Sequence, residues 1–201
     1  MNCKALILAG GKSERMSSPK PFLKYNGRTF LEKIVNEFIA CDIEETVVVL
    51  NHELFVRANE KYLAKISEKC ILLKNTNPEW GRYHSLKLGI DKVIGADFCF
   101  IHNVDNPFVS STLIKELYSH RNAKGYTLPV YKSRGGHPVL ISKIIMKTIH
   151  SSALSSTTLK DVLINYSRKE LVVNDDSILA NINTPEEYYH EMIKHEILRN
   201  V

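Results

Sequence analysis

The stretch Ala5-Leu6-Ile7-Leu8-Ala9-Gly10-Gly11 decides the fold of this chain. Its apolar residues run without interruption from Ala5 to Ala9, a pattern typical of a strand buried on both faces of a sheet. The two glycines that follow predict a loop at the carboxyl end of that strand, because glycine permits the backbone conformations of tight turns. The sequence therefore predicts a buried strand that carries a glycine-rich loop to one edge of a sheet.

Apolar runs and amphipathic stretches alternate along the chain around this strand. The runs with the length of strands are 5–8, 46–50, 70–73 and 98–101, and the stretches with helical spacing between them are 30–39, 55–66 and 85–93. Such alternation is typical of βαβ units. We therefore predict an α/β fold, a three-layer sandwich around a mostly parallel, Rossmann-like sheet. Since no linker or internal repeat interrupts the chain, residues 1–201 are predicted to form a single domain.

Composition and charge exclude several classes of protein. The chain has 201 residues, of which 44% are apolar and 24% charged, and this is ordinary for a globular protein with its own core. Its net charge of +5 suits a small anionic substrate, but the basic residues form no patch typical of nucleic-acid binding. No segment resembles a signal peptide or has the length of a membrane span. We therefore expect a cytoplasmic protein with no nucleic-acid or membrane partner.

The four cysteines are Cys3, Cys41, Cys70 and Cys99. They are far apart in sequence and form no C-x-x-C pair of the kind that binds zinc or cycles between thiol and disulfide. Three of them lie in or beside apolar runs, where cysteine acts as a small hydrophobic residue. We predict that they are reduced and buried.

The loop after the first strand predicts a phosphate-binding site. Gly10 and Gly11 let a ligand approach the backbone, whose successive N–H groups can bind phosphate oxygens. Lys12, Arg15 and Lys20 follow closely and supply positive charge. The loop matches neither the P-loop nor the dinucleotide-binding fingerprint. A tight turn that carries solvated charges is the alternative interpretation.

A second loop of interest follows the apolar run 98–101. It contains Asp105, shortly before Pro107. An acidic side chain at the carboxyl end of a strand can hold Mg²⁺, which prefers oxygen ligands and often shares them with phosphates. Alternatively, Asp105 caps the helix that follows Pro107. The residues alone leave both interpretations open.

The segment Leu8–Met16, followed by Lys20, resembles the signature of MobA-like NTP transferases, with Ser17 where the family usually has glycine. This family includes the cytidylyl- and guanylyltransferases of the molybdenum cofactor, and it shares an α/β fold with sugar-nucleotide pyrophosphorylases. The resemblance implies that Arg15 and Lys20 are catalytic. It also implies a set of nucleotide-binding residues in the loop: Leu8, Ala9, Gly10, Gly11, Lys12 and Ser13.

Later segments resemble the metal-binding motifs of the same family. The family's Asp-x-Pro motif matches at Asp105, which implies that this residue coordinates Mg²⁺. Its late motif matches at Asn181 to Glu187, where many members carry aspartates and this chain has asparagines. Asn183 is therefore implied as a neutral, weaker metal ligand. The alternative for this segment is structural, because Thr184-Pro185 is a good start for a helix.

Two further segments resemble the parts of the family that contact nucleotide and acceptor. Residues 77–86 are similar to the family's Asn-Pro-x-Trp loop and the helix after it, which implies nucleotide-binding roles for Asn77, Gly81 and Ser85. Residues 135–140 are similar to a Gly-His-Pro-Val-Leu segment of the cytidylyl branch, which implies an acceptor-side role for His137. A lone histidine is also compatible with a purely structural role.

Together these features predict a Mg²⁺-dependent nucleotidyltransferase. It would move an NMP group from CTP or GTP to a small phosphorylated acceptor, with molybdopterin as the leading candidate, and release pyrophosphate. Gly10 is similar to the guanylyl branch, whereas the segments at Asn77 and His137 are similar to the cytidylyl branch. The alternatives are a nucleotide-sugar-dependent glycosyltransferase and a non-catalytic nucleotide-binding sensor. The sequence makes no prediction of the oligomeric state.

Overall fold

A computed structural model of the protein describes residues 2–11, 15–16, 18–153 and 158–197. Strands and helices alternate through most of it. The strands are β1 (Cys3–Ala9), β2 (Lys24–Tyr25), β3 (Arg28–Thr29), β4 (Glu45–Asn51), β5 (Ile71–Asn75), β6 (Phe98–Asn103), β7 (Gly125–Tyr131), β8 (Arg134–Gly135), β9 (Val139–Ser142) and β10 (Ser167–Val172). The α-helices are α1 (Phe30–Ile39), α2 (His52–Arg57), α3 (Glu60–Ser67), α4 (Arg82–Val93), α5 (Ser111–Ser119), α6 (Lys143–Ser151), α7 (Leu159–Leu163) and α8 (Pro185–Ile197). Short 3-10 helices cover Lys20–Phe22, Pro78–Trp80 and Asp176–Leu179.

An eight-stranded sheet forms the centre of the molecule, in the order β10-β7-β9-β6-β1-β4-β5 with β8 paired to β7. The pairs β1–β4, β1–β6, β4–β5 and β10–β7 are parallel, whereas β9 runs antiparallel to both of its neighbours. β1 lies between β4 and β6, which explains why its sequence is apolar throughout. The predicted mostly parallel α/β fold is confirmed.

Helices cover both faces of the sheet. Successive side chains of β1 point to opposite faces, so each of them contacts a different layer of helices. Ala5 and Ile7 pack in one hydrophobic cluster with α1 and α5. Leu6 packs in a second cluster with α4 and α6. Phe30, at the start of α1, and Ile90, in α4, are fully buried in these two clusters. The result is the predicted three-layer arrangement.

The stretch predicted as one helix over 55–66 is instead two helices, α2 and α3. Ala58 ends α2 with extended backbone, and Asn59 begins α3 by accepting a hydrogen bond from the Lys61 N–H at 2.8 Å. An asparagine side chain competes with the helical backbone for hydrogen bonds and therefore favours a helix start over a helix interior. Asn59 is therefore the residue that indicates the break between α2 and α3, which the helical spacing of the apolar residues does not show.

The carboxyl ends of β1, β4, β5 and β6 meet at one edge of the sheet, because these strands are parallel neighbours. Ligands in open α/β sheets bind beyond this edge. All four cysteines are buried and unpaired, as predicted. Among the described residues, none of the helices combines the length and apolar character that a bilayer crossing requires.

Candidate functional site

A cleft of about 440 Å³ opens at the carboxyl edge of the sheet, between the loop after β1 and the start of α4. It brings most of the sequence-predicted site residues together. Its lining is Leu8, Ala9, Gly10, Gly11, Arg15, Lys20, Pro21, Pro78, Gly81, Arg82, Ser85, Asn103, Val104, Asp105 and Asn183. Asn77 and His137 are not among these residues, and the predicted binding residues Lys12 and Ser13 lie outside the described part of the chain.

The glycine loop is held from the neighbouring strand. The Nδ2 atom of Asn51 donates to the carbonyl oxygens of Gly10 and Gly11, at 3.3 Å each. The Oδ1 atom of the same side chain accepts from the Leu54 N–H at 2.8 Å and caps α2. Asn51 is buried, so this bridge fixes where the loop leaves β1. The position of Asn51 between an apolar strand and a helix indicates the cap on α2, but not the contact with the loop.

Gly10 is required by its close approach to Ser85. A Cβ atom at position 10 would lie 2.9 Å from the Ser85 Oγ. That hydroxyl cannot move freely, because it accepts from the Asn75 Nδ2 at 2.9 Å in a buried contact. The Oδ1 of Asn75 in turn accepts from the Asn77 N–H at 2.8 Å, so Asn77 shapes the wall of the cleft from behind. The loop and the first turn of α4 therefore form one packed unit.

The first turn of α4 points at the cleft. Gly81 precedes it with φ 85° and ψ −177°, a conformation that residues other than glycine rarely adopt. No side chain of the described residues caps this helix, so among them its first N–H groups are available to a ligand. An uncapped helix N-terminus favours anions such as phosphate.

Three side chains meet at the centre of the cleft. The Nζ of Lys20 donates to the Oδ1 of Asn183 at 2.7 Å and lies 3.7 Å from the Oδ2 of Asp105. Burial lowers the pKa of Lys20, with smaller contributions from the cations Arg82 and Arg15, while Asp105 opposes this shift. The ammonium group is thus held between two oxygen atoms that come from distant parts of the chain.

Asp105 does not cap a helix. The helix that follows it, α5, begins at Ser111 and is capped by the side chain of Ser110, which accepts from the Leu113 N–H. The alternative interpretation of Asp105 is therefore wrong. Its carboxylate is largely buried and faces the cleft, and its carbonyl oxygen accepts from the Ile182 N–H at 3.0 Å.

The oxygens of Asp105 and Asn183 are of the type that hard divalent cations prefer as ligands. The Lys20 ammonium lies between them, which identifies a position that favours a cation. The described residues contain no group of three or more His, Cys, Asp or Glu side chains that could bind a metal by themselves. Mg²⁺ needs no such cage, since it is usually held by one or two protein oxygens together with phosphates and water.

Asn183 is positioned by the start of α8. The Glu187 carboxylate accepts from the N–H groups of Asn183 at 2.6 Å and Thr184 at 3.1 Å. The Thr184 hydroxyl accepts from the Glu187 N–H at 3.2 Å, which completes a capping box. The Nδ2 of Asn183 donates to the Asn181 carbonyl at 2.8 Å, so its Oδ1 faces Lys20. The helix-start interpretation of this segment is confirmed, and it also places Asn183 in the cleft.

His137 does not line the cleft but contacts a residue that does. Its Nε2 is 3.2 Å from the Nδ2 of Asn103, which does line the cleft. Burial lowers the pKa of His137, Asp105 opposes the shift, and Arg82 adds to it. His102 lies beside it, with ring centroids 6.2 Å apart, and burial lowers the pKa of His102 to about 3. Burial thus favours the neutral form of both rings.

A second cavity of about 660 Å³ adjoins the first between the β7–β8 hairpin and α8. Asn183 lines both cavities. Lys132 and Arg134 from the hairpin and Lys194 from α8 also line the second one. Lys194 is paired with Asp176 at 2.6 Å. The two cavities therefore meet at Asn183.

The chain is similar in sequence to known nucleotidyltransferases. The family model described as "MobA-like NTP transferase domain" matches residues 5–170. The chain is 30% identical over 199 residues to a probable molybdenum cofactor guanylyltransferase of Natranaerobius thermophilus, covering 92% of this chain and 93% of that one. It is 34% identical over 114 residues to a 2-C-methyl-D-erythritol 4-phosphate cytidylyltransferase of Thermosipho melanesiensis, covering 55% of this chain and 50% of that one.

Solved structures share the fold over nearly the whole length. A nucleotidyl transferase from Methanothermobacter superposes with a TM-score of 0.79 at 19% identity, covering 99% of both chains. By contrast, the chain spans only 31% to 63% of the length of three curated sequence relatives, among them the Thermosipho melanesiensis cytidylyltransferase.

Proposed function

This chain belongs to the MobA-like NTP transferase family, and on that premise we propose that it transfers an NMP group from an NTP to a phosphorylated acceptor and releases pyrophosphate. The observation that carries the proposal is the contact of Lys20 with Asp105 and Asn183 beside the glycine loop. A cation, a buried carboxylate and a phosphate-binding loop in one cleft are the parts that phosphoryl-group chemistry requires.

The glycine loop supports the triphosphate. The backbone N–H groups at Gly10 and Gly11 bind the β- and γ-phosphates together with Lys12. Arg15 and Lys20 neutralise the charge that develops around the α-phosphate. Since positioning and charge neutralisation supply most of the catalysis in such reactions, no covalent intermediate with the protein is needed.

The transfer is an in-line displacement. An oxygen of the acceptor phosphate forms a bond to the α-phosphorus while the bond between the α-phosphorus and the α–β bridging oxygen breaks. Pyrophosphate leaves with that oxygen and its electron pair. Asp105 and Asn183 would hold Mg²⁺, whose charge, when bound, polarises the phosphate oxygens. When the nucleotide enters, the Lys20 ammonium exchanges its contacts with Asp105 and Asn183 for contacts with phosphate.

Molybdopterin is the leading acceptor, with CTP or GTP as the donor. The guanylyltransferase relative, which aligns over 92% of this chain, supports it. The second cavity, which meets the cleft at Asn183, gives the body of such an acceptor a place outside the nucleotide site. We assign His137 an indirect acceptor-side role through Asn103, and we place this single-domain enzyme in the cytoplasm.

Nucleotide binding is tested by thermal unfolding with each of the four NTPs, with and without Mg²⁺. A ligand that binds only the folded state raises the melting temperature by mass action. We expect a shift with CTP or GTP that increases with Mg²⁺. Pyrophosphate release on addition of molybdopterin then tests the transfer. No shift with any NTP would contradict the proposal, and release of NDP from a nucleotide-sugar would instead support a glycosyltransferase.

Replacement of Lys20 tests its catalytic role. We expect Lys20→Ala to lower turnover by roughly 10²- to 10³-fold, the scale of losing one preorganised charge contact in a cleft. Lys124→Ala is the matched control, since Lys124 is exposed and precedes β7 at the opposite edge of the sheet. Near-normal turnover of a folded Lys20→Ala variant would contradict the assigned role.

A further inference from the structure

Arg82 is a cation of the cleft whose role the proposed reaction leaves open. It is the first residue of α4, its side chain is exposed, and it lines the same cleft as Lys20 and Asp105. Within residues 2–11, 15–16, 18–153 and 158–197, no carboxylate lies within ion-pair distance of its guanidinium. Lys20, in contrast, is engaged by both Asp105 and Asn183. Arg82 thus offers its donors to a ligand.

The charge of Arg82 reaches two parts of the site. It contributes to lowering the pKa of Lys20 and also the pKa of His137, which lies behind Asn103 at the end of β6. The 3-10 helix that begins at Lys20 packs against α1, whereas α4 covers the opposite face of the sheet. Arg82 therefore enters the cleft from the opposite layer to Lys20, in a lining that also includes Asn103.

In-line geometry divides the cleft into a leaving side and an attacking side. The attacking oxygen must approach the α-phosphorus opposite the departing pyrophosphate. With the β- and γ-phosphates on the loop at Gly10 and Gly11, the leaving group lies towards that loop and Arg15. The attacking group must then approach from the side of the α-phosphorus that faces away from the loop. An anionic nucleophile needs a counter-charge there, because two phosphates repel each other in a partly buried site.

We propose that Arg82 binds the phosphate of the acceptor and brings it to the α-phosphorus. This inference rests on the proposed function and deepens it. A guanidinium suits the task because it is always charged and presents a planar fork of donors that matches two phosphate oxygens. A nucleoside triphosphate that is held by the loop, Arg15 and Lys20 does not require it.

The test uses inorganic phosphate as the probe for the acceptor group. The full chain is first saturated with Mg²⁺ and a CTP or GTP analogue whose α–β bridging oxygen is replaced by methylene, so that no transfer takes place. Phosphate is then titrated calorimetrically at constant ionic strength into the wild type and into Arg82→Gln, Arg82→Lys and Arg121→Gln. Arg121 is the matched control: it is exposed and its guanidinium lies 4.7 Å from the Tyr118 ring, away from the cleft.

We expect Arg82→Gln to weaken phosphate binding roughly 10- to 100-fold, the scale of a lost charge-assisted bidentate contact. Its affinity for the NTP analogue should change less than about threefold, and Arg121→Gln should match the wild type. Arg82→Lys should fall between, since it keeps the charge but loses the fork.

Two results would overturn the assignment while leaving the proposed function intact. One is unchanged phosphate affinity in Arg82→Gln, and the other is an equal loss of affinity for phosphate and analogue, which would make Arg82 a nucleotide ligand. Failure of the wild type to bind any NTP analogue would instead overturn the proposed function, and this inference with it.

Discussion

Replacing Gly10 with alanine tests the packing that joins the glycine loop to α4. The added Cβ would lie 2.9 Å from the Ser85 Oγ but 3.8 Å from the Ser85 Cβ, which is an ordinary contact distance. Gly10 does not have a positive φ, so the backbone accepts alanine. The predicted damage therefore comes from one atom, the Ser85 hydroxyl oxygen, which must move away from the Asn75 Nδ2.

The magnitude follows from the hydrogen bond that is lost. Asn75 is fully buried, and an unpaired buried amide donor costs about 1–3 kcal/mol of stability. Gly10→Ala should cost this amount. Ser85→Ala removes the same acceptor and should also cost about 1–3 kcal/mol. In the double variant the bond is lost only once and no clash arises, so the double variant should be about as stable as either single one.

A double-mutant cycle measures this directly. The free energy of unfolding is determined by urea denaturation for the wild type, both single variants and the double variant. The sum of the single losses should exceed the loss in the double variant by about 1–3 kcal/mol. Gly11→Ala with Ser85→Ala is the control cycle and should be additive, since a Cβ at Gly11 meets no atom of the described residues within 4 Å. Additivity within about 0.5 kcal/mol in the Gly10 cycle would refute the reasoning.

Two further predictions concern stability. Gly81→Ala should lower the free energy of unfolding by about 1–3 kcal/mol because φ is 85° at this position. Gly95→Ala, at a site with open space, is the control and should be within about 0.5 kcal/mol of the wild type. Equal melting temperatures of the two variants would contradict this prediction. The pKa of His102 in the folded state, about 3, lies below the ordinary value of 6.5. Between these two pH values the unfolded state binds more protons than the folded state, so the free energy of unfolding falls as the pH falls. This residue should contribute a loss of about 2 kcal/mol between about pH 7 and 5, and His102→Phe should flatten the measured pH dependence by that amount.

The sheet was predictable because its central strands are short, continuous apolar runs that end in polar loops. Once β1 and β6 were placed as parallel strands, the loops at Gly10 and Asp105 had to emerge at the same edge. The residue types at the end of each strand were sufficient to predict that these two loops lie together. The match to the family then supplied Lys20 and Asn183 as residues of one site.

Contacts between distant segments were not predictable in the same way. No periodicity in the sequence indicates that Asn51 holds the glycine loop or that Asn75 fixes Ser85, since both are tertiary hydrogen bonds between strand ends. Nothing in the sequence indicated a role for Arg82, because a side chain at a helix start can point to solvent or to a ligand. Its position in the cleft depends on how α4 crosses the sheet.

The hydrogen bond between Lys20 and Asn183 joins two residues that are 163 positions apart. During synthesis, the ribosome releases the glycine loop and the central strands long before Asn183 emerges. The nascent chain therefore carries the glycine loop and Lys20 before the hydrogen bond to Asn183 can form. Under the proposed function, a chain that terminates before Asn183 is expected to fold its central strands but to have no transferase activity.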